Sequence, residues 1–250
     1  MISTYLLLAA AAFVAGAMNS AAGGGTFVTF PALVFTGVPS VAANATSTVA
    51  LFPGAVTGSL GYIGEFRDVH GVSIRKLLPV SIFGGFIGAM MLLLTPVRLF
   101  DSVVPWLLLL ATLAFAFGPK AAAVLREFVR IGPVGLFVTQ FFLAIYGGYF
   151  GGAVGLMTLA VWSLFGASDL RAMNAAKTLL VGSMNTVAVV SFAVAGLVWW
   201  GDAAVMAVAA ALGGYAGAQI ARRVPTKRIR FFINCVNATV TAIFFYRAFG

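Results

Sequence analysis

Charge is scarce in this sequence. Only 8% of its 250 residues are Asp, Glu, Lys or Arg, against 62% hydrophobic residues. A soluble domain carries about 25% charged residues. So little charge cannot cover a water-facing surface, which excludes an ordinary soluble domain of this length. Cysteine is nearly absent too. Cys235 stands alone in an apolar run, which excludes an intrachain disulfide and a multi-cysteine metal site and suggests packing. The single histidine, His70, falls in a hydrophilic stretch. No His/Asp pair, paired carboxylates or cysteine cluster is visible, so enzymatic chemistry at membrane depth lacks its usual groups and no cofactor is implied.

What charge there is has been segregated. No ionic residue precedes Glu65, and further charge-free windows run 77–97, 102–119, 131–168, 178–201, 203–221 and 231–246. About 20 apolar residues make one membrane-crossing helix. These windows are of that size or hold a helical hairpin, and they lack the alternation of a membrane barrel strand. The net charge of +9 fits basic cytoplasmic loops. A nucleic-acid partner is not expected, since interleaved basic and aromatic surface is missing. Residues 5–17 end in Ala15-Gly16-Ala17, the look of a cleavage site, but no basic residue precedes them. They are therefore expected to be retained as a helix.

The chain repeats itself. At a shift of 130 residues Gly25 falls on Gly155, Ala42 on Ala172, Asn44-Ala45 on Asn174-Ala175 and Thr48 on Thr178. At 129, Gly84-Gly85 meets Gly213-Gly214, Gly88-Ala89 meets Gly217-Ala218, and Pro96 meets Pro225. Each half reads as a hairpin (5–22 with 26–36; 134–150 with 153–165) and three spans (44–63, 77–94 and 102–118; 174–195, 203–220 and 231–248). The first repeat occupies 1–118, a cytoplasmic linker 119–132, and the second repeat 133–250. Equivalent loops differ in basicity. Loop 64–76 holds Arg67, Arg75 and Lys76, while its counterpart 196–203 holds no base. Loop 221–230 holds Arg222, Arg223, Lys227, Arg228 and Arg230, while 95–101 holds only Arg98. Positive loops stay inside, so equivalent loops lie on opposite faces and both termini lie outside. The expected fold is thus an all-α membrane protein of two inverted repeats, a hallmark of secondary transporters.

Two constellations suggest a site. The hairpin bends carry Gly23-Gly24-Gly25 and Gly151-Gly152, each with a polar neighbour, Asn19 and Tyr149. Helices starting after such bends, at Thr26 and Leu156, leave N–H donors at their positive ends, which suit an anion. Tight helix packing is the alternative reading of these glycines. The following spans open with Asn44-Ala-Thr46-Ser47-Thr48 and Asn174-Ala-Ala-Lys177-Thr178. Asn44 and Asn174 either cap their helices or face the site, with Thr48 and Thr178 one turn further on the same face. Lys177 either attracts an anion or snorkels to the interface; a lysine at mid-membrane costs about 2.5–3.5 kcal/mol. Within its span no carboxylate lies one turn away. Gln140, Asn185, Gln219, Asn234 and Asn237 are expected to make interhelical hydrogen bonds, and Gly84/Gly88 and Gly213/Gly217 internal helix contacts.

The sequence resembles the sulfite exporter (TauE/SafE-type) membrane transporter family. The resemblance rests on Ala15-Gly16, Asn19-Ser20-Ala21-Ala22-Gly23-Gly24-Gly25, Phe30-Pro31-Ala32-Leu33 and Ala43-Asn44-Ala45-Thr46. It rests equally on Tyr146-Gly147-Gly148-Tyr149-Phe150-Gly151-Gly152 with Asn174-Ala175-Ala176-Lys177, and covers almost the whole chain. Many relatives have proline where this chain has Val161, so Pro31 lacks a repeat partner. The resemblance implies a plasma-membrane transporter of small anions, chiefly sulfite, sulfonates and related organic acids. The expected partners are therefore a small anionic substrate, the lipid bilayer and a coupling ion, H⁺ or Na⁺. No carboxylate is expected at depth, so protons would enter with the substrate itself, or Na⁺ would bind backbone carbonyls and Thr48 or Thr178. An anion channel, or a membrane assembly protein that moves no solute, is the competing reading.

Overall fold

The computed structural model describes residues 2–21, 23–60, 68, 72–128, 132–165, 170–221 and 226–250. Glu65, Arg67, His70, Asp169, Arg222, Arg223 and Pro225 lie outside them. Among the described residues there is no strand. The helices are α1 (Ile2–Ala21), α2 (Thr26–Phe35), α3 (Ser40–Leu60), α4 (Ile74–Leu94) and α5 (Val97–Phe128), then α6 (Pro133–Tyr149), α7 (Val154–Trp162), α8 (Leu170–Val194), α9 (Trp200–Ala221) and α10 (Thr226–Phe249). A single 3-10 turn, Ser163–Phe165, follows α7.

Segments 2–20, 74–94, 97–118, 173–194 and 228–249 are long and apolar enough to cross a membrane. The outward faces of these segments, and of α6 and α9, carry large apolar side chains such as Phe83, Trp106, Leu113, Phe142, Val190, Leu212 and Phe231, all exposed. An apolar surface of this extent belongs in lipid. Cys235 is also exposed, so it faces outward rather than packing inside. The short arms α2 and α7 have 10 and 9 residues. At 1.5 Å per residue they reach roughly 15 Å, half of a bilayer core of about 30 Å. Each hairpin therefore joins a long arm to a half-length one.

The third span ends at Gly118 as expected, but its helix does not: α5 continues to Phe128, so most of the linker 119–132 is helix. The spans expected to open at Asn44 and Asn174 begin one turn earlier, at Ser40 and Leu170.

Glycine sets how the helices meet. A Cβ on Gly88 would overlap the carbonyl oxygen of Ile145, and one on Gly148 that of Gly85, so α4 and α6 touch backbone to backbone. The repeat-equivalent Gly217 meets Ala17, and Gly213 meets Phe13, which brings α9 equally close to α1. These internal contacts are the ones expected of the small-residue pairs. Numbering rises together along α1 and α9, from Tyr5 beside Gly201 to Ala17 beside Gly217, so the two run parallel. The same holds for α4 and α6, from Gly84 at Phe141 to Gly88 at Tyr149. Helices α5 and α10 run antiparallel. Trp106 packs on Phe245 at 5.1 Å, Thr112 and Thr241 share a hydrogen bond of 3.0 Å, and Arg230 lies 5.9 Å over the Phe115 ring. The main core gathers around Phe30 of α2. Its ring meets Phe100 of α5 at 6.2 Å, Phe150 at 5.9 Å and Phe244 of α10 at 5.4 Å.

Candidate functional site

The two bends meet crosswise. Phe150, at the α6–α7 bend, packs on Phe30 of α2. Gly23, at the α1–α2 bend, sits where Leu156 of α7 covers it, with Leu156 Cδ1 3.7 Å from the position of a would-be Cβ. Each bend thus rests on the short arm of the other hairpin, and the N-terminal ends of α2 and α7 lie near one another.

At the first bend Gly23 and Gly24 have φ of +91° and +92°, backbone that a side chain would strain. Gly25 has no room for one: a Cβ would stand 2.6 Å from the Ala15 carbonyl oxygen. Asn19 Oδ1 accepts the Gly25 N–H at 2.7 Å. Asn19 therefore caps the bend from the preceding helix and occupies a donor expected to face substrate. The N–H groups of Gly24 and Thr26 donate to no acceptor among the described residues.

The second bend turns differently. Gly151 has φ of +75°, and Ala153, the residue before α7, has φ of +57°. A left-handed alanine is uncommon and marks a bend held by its surroundings. Tyr146 donates its hydroxyl proton to the Gly152 carbonyl at 2.9 Å, and the Gly151 N–H closes onto the Tyr146 carbonyl at 3.2 Å. The helix starts at Val154 rather than Leu156. The N–H groups of Gly152, Ala153 and Gly155 donate to no acceptor among the described residues.

The polar residues of α3 and α8 stand beside these bends. Asn44 is the fifth residue of α3 and is buried, which overturns its reading as a cap. Its Nδ2 donates 2.9 Å to the Tyr149 carbonyl, joining α3 to the end of α6, and its Oδ1 has no partner. Asn174 holds the equivalent fifth place in α8 and is no cap either. Lys177 Nζ donates to Asn174 Oδ1 at 3.2 Å, so the ammonium has a carboxamide partner that the sequence did not reveal. Its stem lies over the first turn of α7, with Cδ 3.5 Å from a would-be Cβ on Gly155. Among the described residues no carboxylate pairs with it. Thr48 and Thr178 donate back to the carbonyls of Asn44 and Asn174, at 2.9 and 2.7 Å. Their protons are used within the helix and their lone pairs remain for a ligand.

Tyr149 links this region to a recess. Its hydroxyl donates to Thr95 Oγ1 at 3.3 Å. Thr95 lines a 430 Å³ pocket with Pro39, Ala42, Pro96, Leu197 and Trp199. That pocket is walled by the turns between α2 and α3, α4 and α5, and α8 and α9. Thr46, one turn from the end of that wall, accepts the Trp199 N–H at 3.0 Å.

The remaining polar residues divide. Gln140 donates to Ser81 across α6 and α4 at 2.8 Å, as expected. Asn237 does not: it is fully buried on α10 and neither its Oδ1 nor its Nδ2 has a partner. The Oδ1 atoms of Asn185 and Asn234 are also unpartnered. Gln219 is exposed on α9.

The family model described as Sulfite exporter TauE/SafE matches residues 8–244. The chain belongs to this family. It is 30% identical over 237 residues to a probable membrane transporter protein of Haemophilus influenzae, covering 94% of this chain and 91% of that one. It is 29% identical over 254 residues to the probable membrane transporter protein YfcA of Escherichia coli K12, covering 100% and 93%. A third relative, the probable membrane transporter protein ORF9 of a Sinorhizobium species, is 30% identical over 218 residues, covering 85% and 80%. No solved structure matches the chain significantly. The TauE/SafE chain is a multi-pass membrane protein, and its family and relatives make its work membrane transport.

Proposed function

We propose that this TauE/SafE protein is a secondary transporter and not an enzyme. It carries a small anion, sulfite, a sulfonate or a related sulfur-containing organic anion, across the plasma membrane by alternating access. One observation carries the reading. The Lys177 stem runs over the first turn of α7, at the positive end of that helix, where the N–H groups of Gly152, Ala153 and Gly155 have no acceptor among the described residues. An ammonium beside a helix N-terminus repels it unless an anion stands between them. With no carboxylate pairing Lys177 among the described residues, a substrate oxyanion supplies that charge. Asn44, Tyr149 and Thr95 would then line its route to the recess between the turns.

Alternating access asks for two halves related by inversion. Three features support that arrangement. Helices α1 and α9 run parallel, as do their repeat counterparts α6 and α4. Helices α5 and α10 run antiparallel, and a hydrogen bond between them joins Thr112 to Thr241, residues 129 apart and so in repeat register. A twofold axis through that contact, across the helices, would exchange the two halves. A coupling Na⁺ would use the lone pairs of Asn44 Oδ1 and Thr48 rather than a carboxylate, whereas a coupling proton would travel on the substrate itself, since neither group is basic enough to hold one.

Flux into sealed vesicles tests the proposal. Purified protein should give saturable, gradient-dependent flux of at least one of sulfite, sulfate, thiosulfate and simple sulfonates. No flux and no binding across that panel would leave an assembly role. Unsaturable flux independent of any counter-ion would make the protein a channel.

A further inference from the structure

The buried carboxamide of Asn237 has no role in the helix packing described above. Both of its polar atoms lack partners, although the residue is wholly shielded from solvent. Leaving such a group unpaired is costly in a protein interior, so its persistence asks for an occupant. Its Nδ2 lies 3.9 Å from the point where a Cβ on Gly24 would stand. It is therefore aimed at the first bend, where the N–H groups of Gly24 and Thr26 are also unused. The same bend meets α7 through Gly23 and Leu156.

We propose that Asn237, with the free N–H groups of Gly24 and Thr26, forms a neutral subsite that takes the uncharged polar end of the substrate, a hydroxyl or a protonated acid. The inference rests on the anion-transport reading. The chemistry follows from the donor set. A carboxamide offers one acceptor and two donor hydrogens, and no formal charge stands on any of these groups. A ligand group that both accepts and donates satisfies them all, whereas a second full negative charge would leave Asn237 Oδ1 facing an anion. The two bends then divide the work. Lys177 and the start of α7 anchor the charge, and Asn237 reads the other end. The repeat register supports this division: the position equivalent to Asn237 is Leu108, fully buried and apolar, while that of Lys177 is Ser47. A site built to bond a hydroxyl discriminates strongly against the analogue without it, because its polar groups are then left unpaired.

Ethanesulfonate and 2-hydroxyethanesulfonate differ by that one group. Their binding to the full-length protein in detergent, measured by calorimetry alongside sulfite, gives the test. Wild type should favour the hydroxylated probe at least 10-fold. Asn237→Leu should abolish the preference, with 2-hydroxyethanesulfonate weakened relative to ethanesulfonate by at least 10-fold, and leave the melting temperature unchanged or higher. Should Asn237→Leu fail to fold, Asn237→Val is read the same way. Equal wild-type affinity for the two sulfonates, binding of sulfite alone, or a preference that survives the substitution overturns the subsite and leaves the anion reading standing. Binding of none of the three probes removes the anion reading, and the subsite with it.

Discussion

Replacing Lys177 with methionine separates attraction of an anion from mere anchoring at the interface. Methionine keeps most of the stem that lies over Gly155, so packing against α7 is largely preserved. Two things are lost. The first is the 3.2 Å bond to Asn174 Oδ1, a charged donor on a neutral acceptor. The second is the positive charge beside the free N–H groups of α7. For folding the losses are offset, since removing an ammonium from a membrane span relieves up to about 2.5–3.5 kcal/mol. The melting temperature should therefore stay level or rise. For binding there is no offset. A charge-assisted hydrogen bond is worth about 1.5–3 kcal/mol, which weakens the anion roughly 10- to 150-fold. Lys177→Arg keeps the charge and should retain most of the affinity. The assay is calorimetric binding of whichever anion the wild type carries, with vesicle flux beside it. Wild-type affinity in Lys177→Met would refute the reasoning and make the lysine a snorkelling residue.

Other substitutions test the packing and the route. Asn44→Leu leaves the Tyr149 carbonyl without its donor and should cost about 1–3 kcal/mol, read as a lower melting temperature. Gly88→Ala drives a methyl into the Ile145 carbonyl and should cost about 1–3 kcal/mol as α4 and α6 part. Gly182→Ala, in a helix with nothing within 4 Å of the added methyl, should instead stabilise by up to about 1 kcal/mol. In a Cys235→Ser background, cysteines at Ser73 and Thr226 should label from the cytoplasmic face only. Labelling of either from outside in intact cells would reverse the orientation.

The long spans were legible because charge-free length is a direct physical requirement of the bilayer. The glycine pairs were legible for a similar reason: Gly84/Gly88 and Gly213/Gly217 recur at equivalent places, and close helix contact requires them. The helix starts at Ser40 and Leu170 were not. Asn44 and Asn174 have the chemistry of caps, but the preceding Ser40–Ala43 and Leu170–Met173 continue the helix, and sequence propensity does not show which turn comes first. The continuation of α5 through the linker was hidden by Pro119, because a proline in a helix interior removes a backbone hydrogen bond and crowds the preceding turn, and so reads as a stop. Asn237 was visible as a polar residue in an apolar span. Its lack of any partner depends on what α1, α2 and α5 place around it, which no local pattern encodes.

The two halves share a frame and differ in chemistry. Glycines that let helices touch are duplicated, as are the Asn–Thr pairs at 44/48 and 174/178, each with the threonine bonded back to its asparagine carbonyl. The groups that would recognise a substrate are not. Lys177 stands opposite Ser47, whose hydroxyl is already taken by Thr29 at 2.6 Å. Asn237 stands opposite Leu108. In the proposed alternating-access cycle, a frame shared by the two halves would let them exchange conformations at similar energy. A single small anion has one charged end, so a site lined symmetrically would offer it two equal orientations. With one cation at the α7 bend and one neutral carboxamide at the α2 bend, the orientation would be fixed. Moving the cation should therefore reverse it. Ser47→Lys in a Lys177→Ser background would carry the anchor to the other bend and strand Asn237 beside the charged end. It should recover ethanesulfonate binding but no preference for the hydroxylated probe. A double variant that recovered that preference would show the two bends to be chemically interchangeable, contrary to the division of work argued from Lys177 and Asn237.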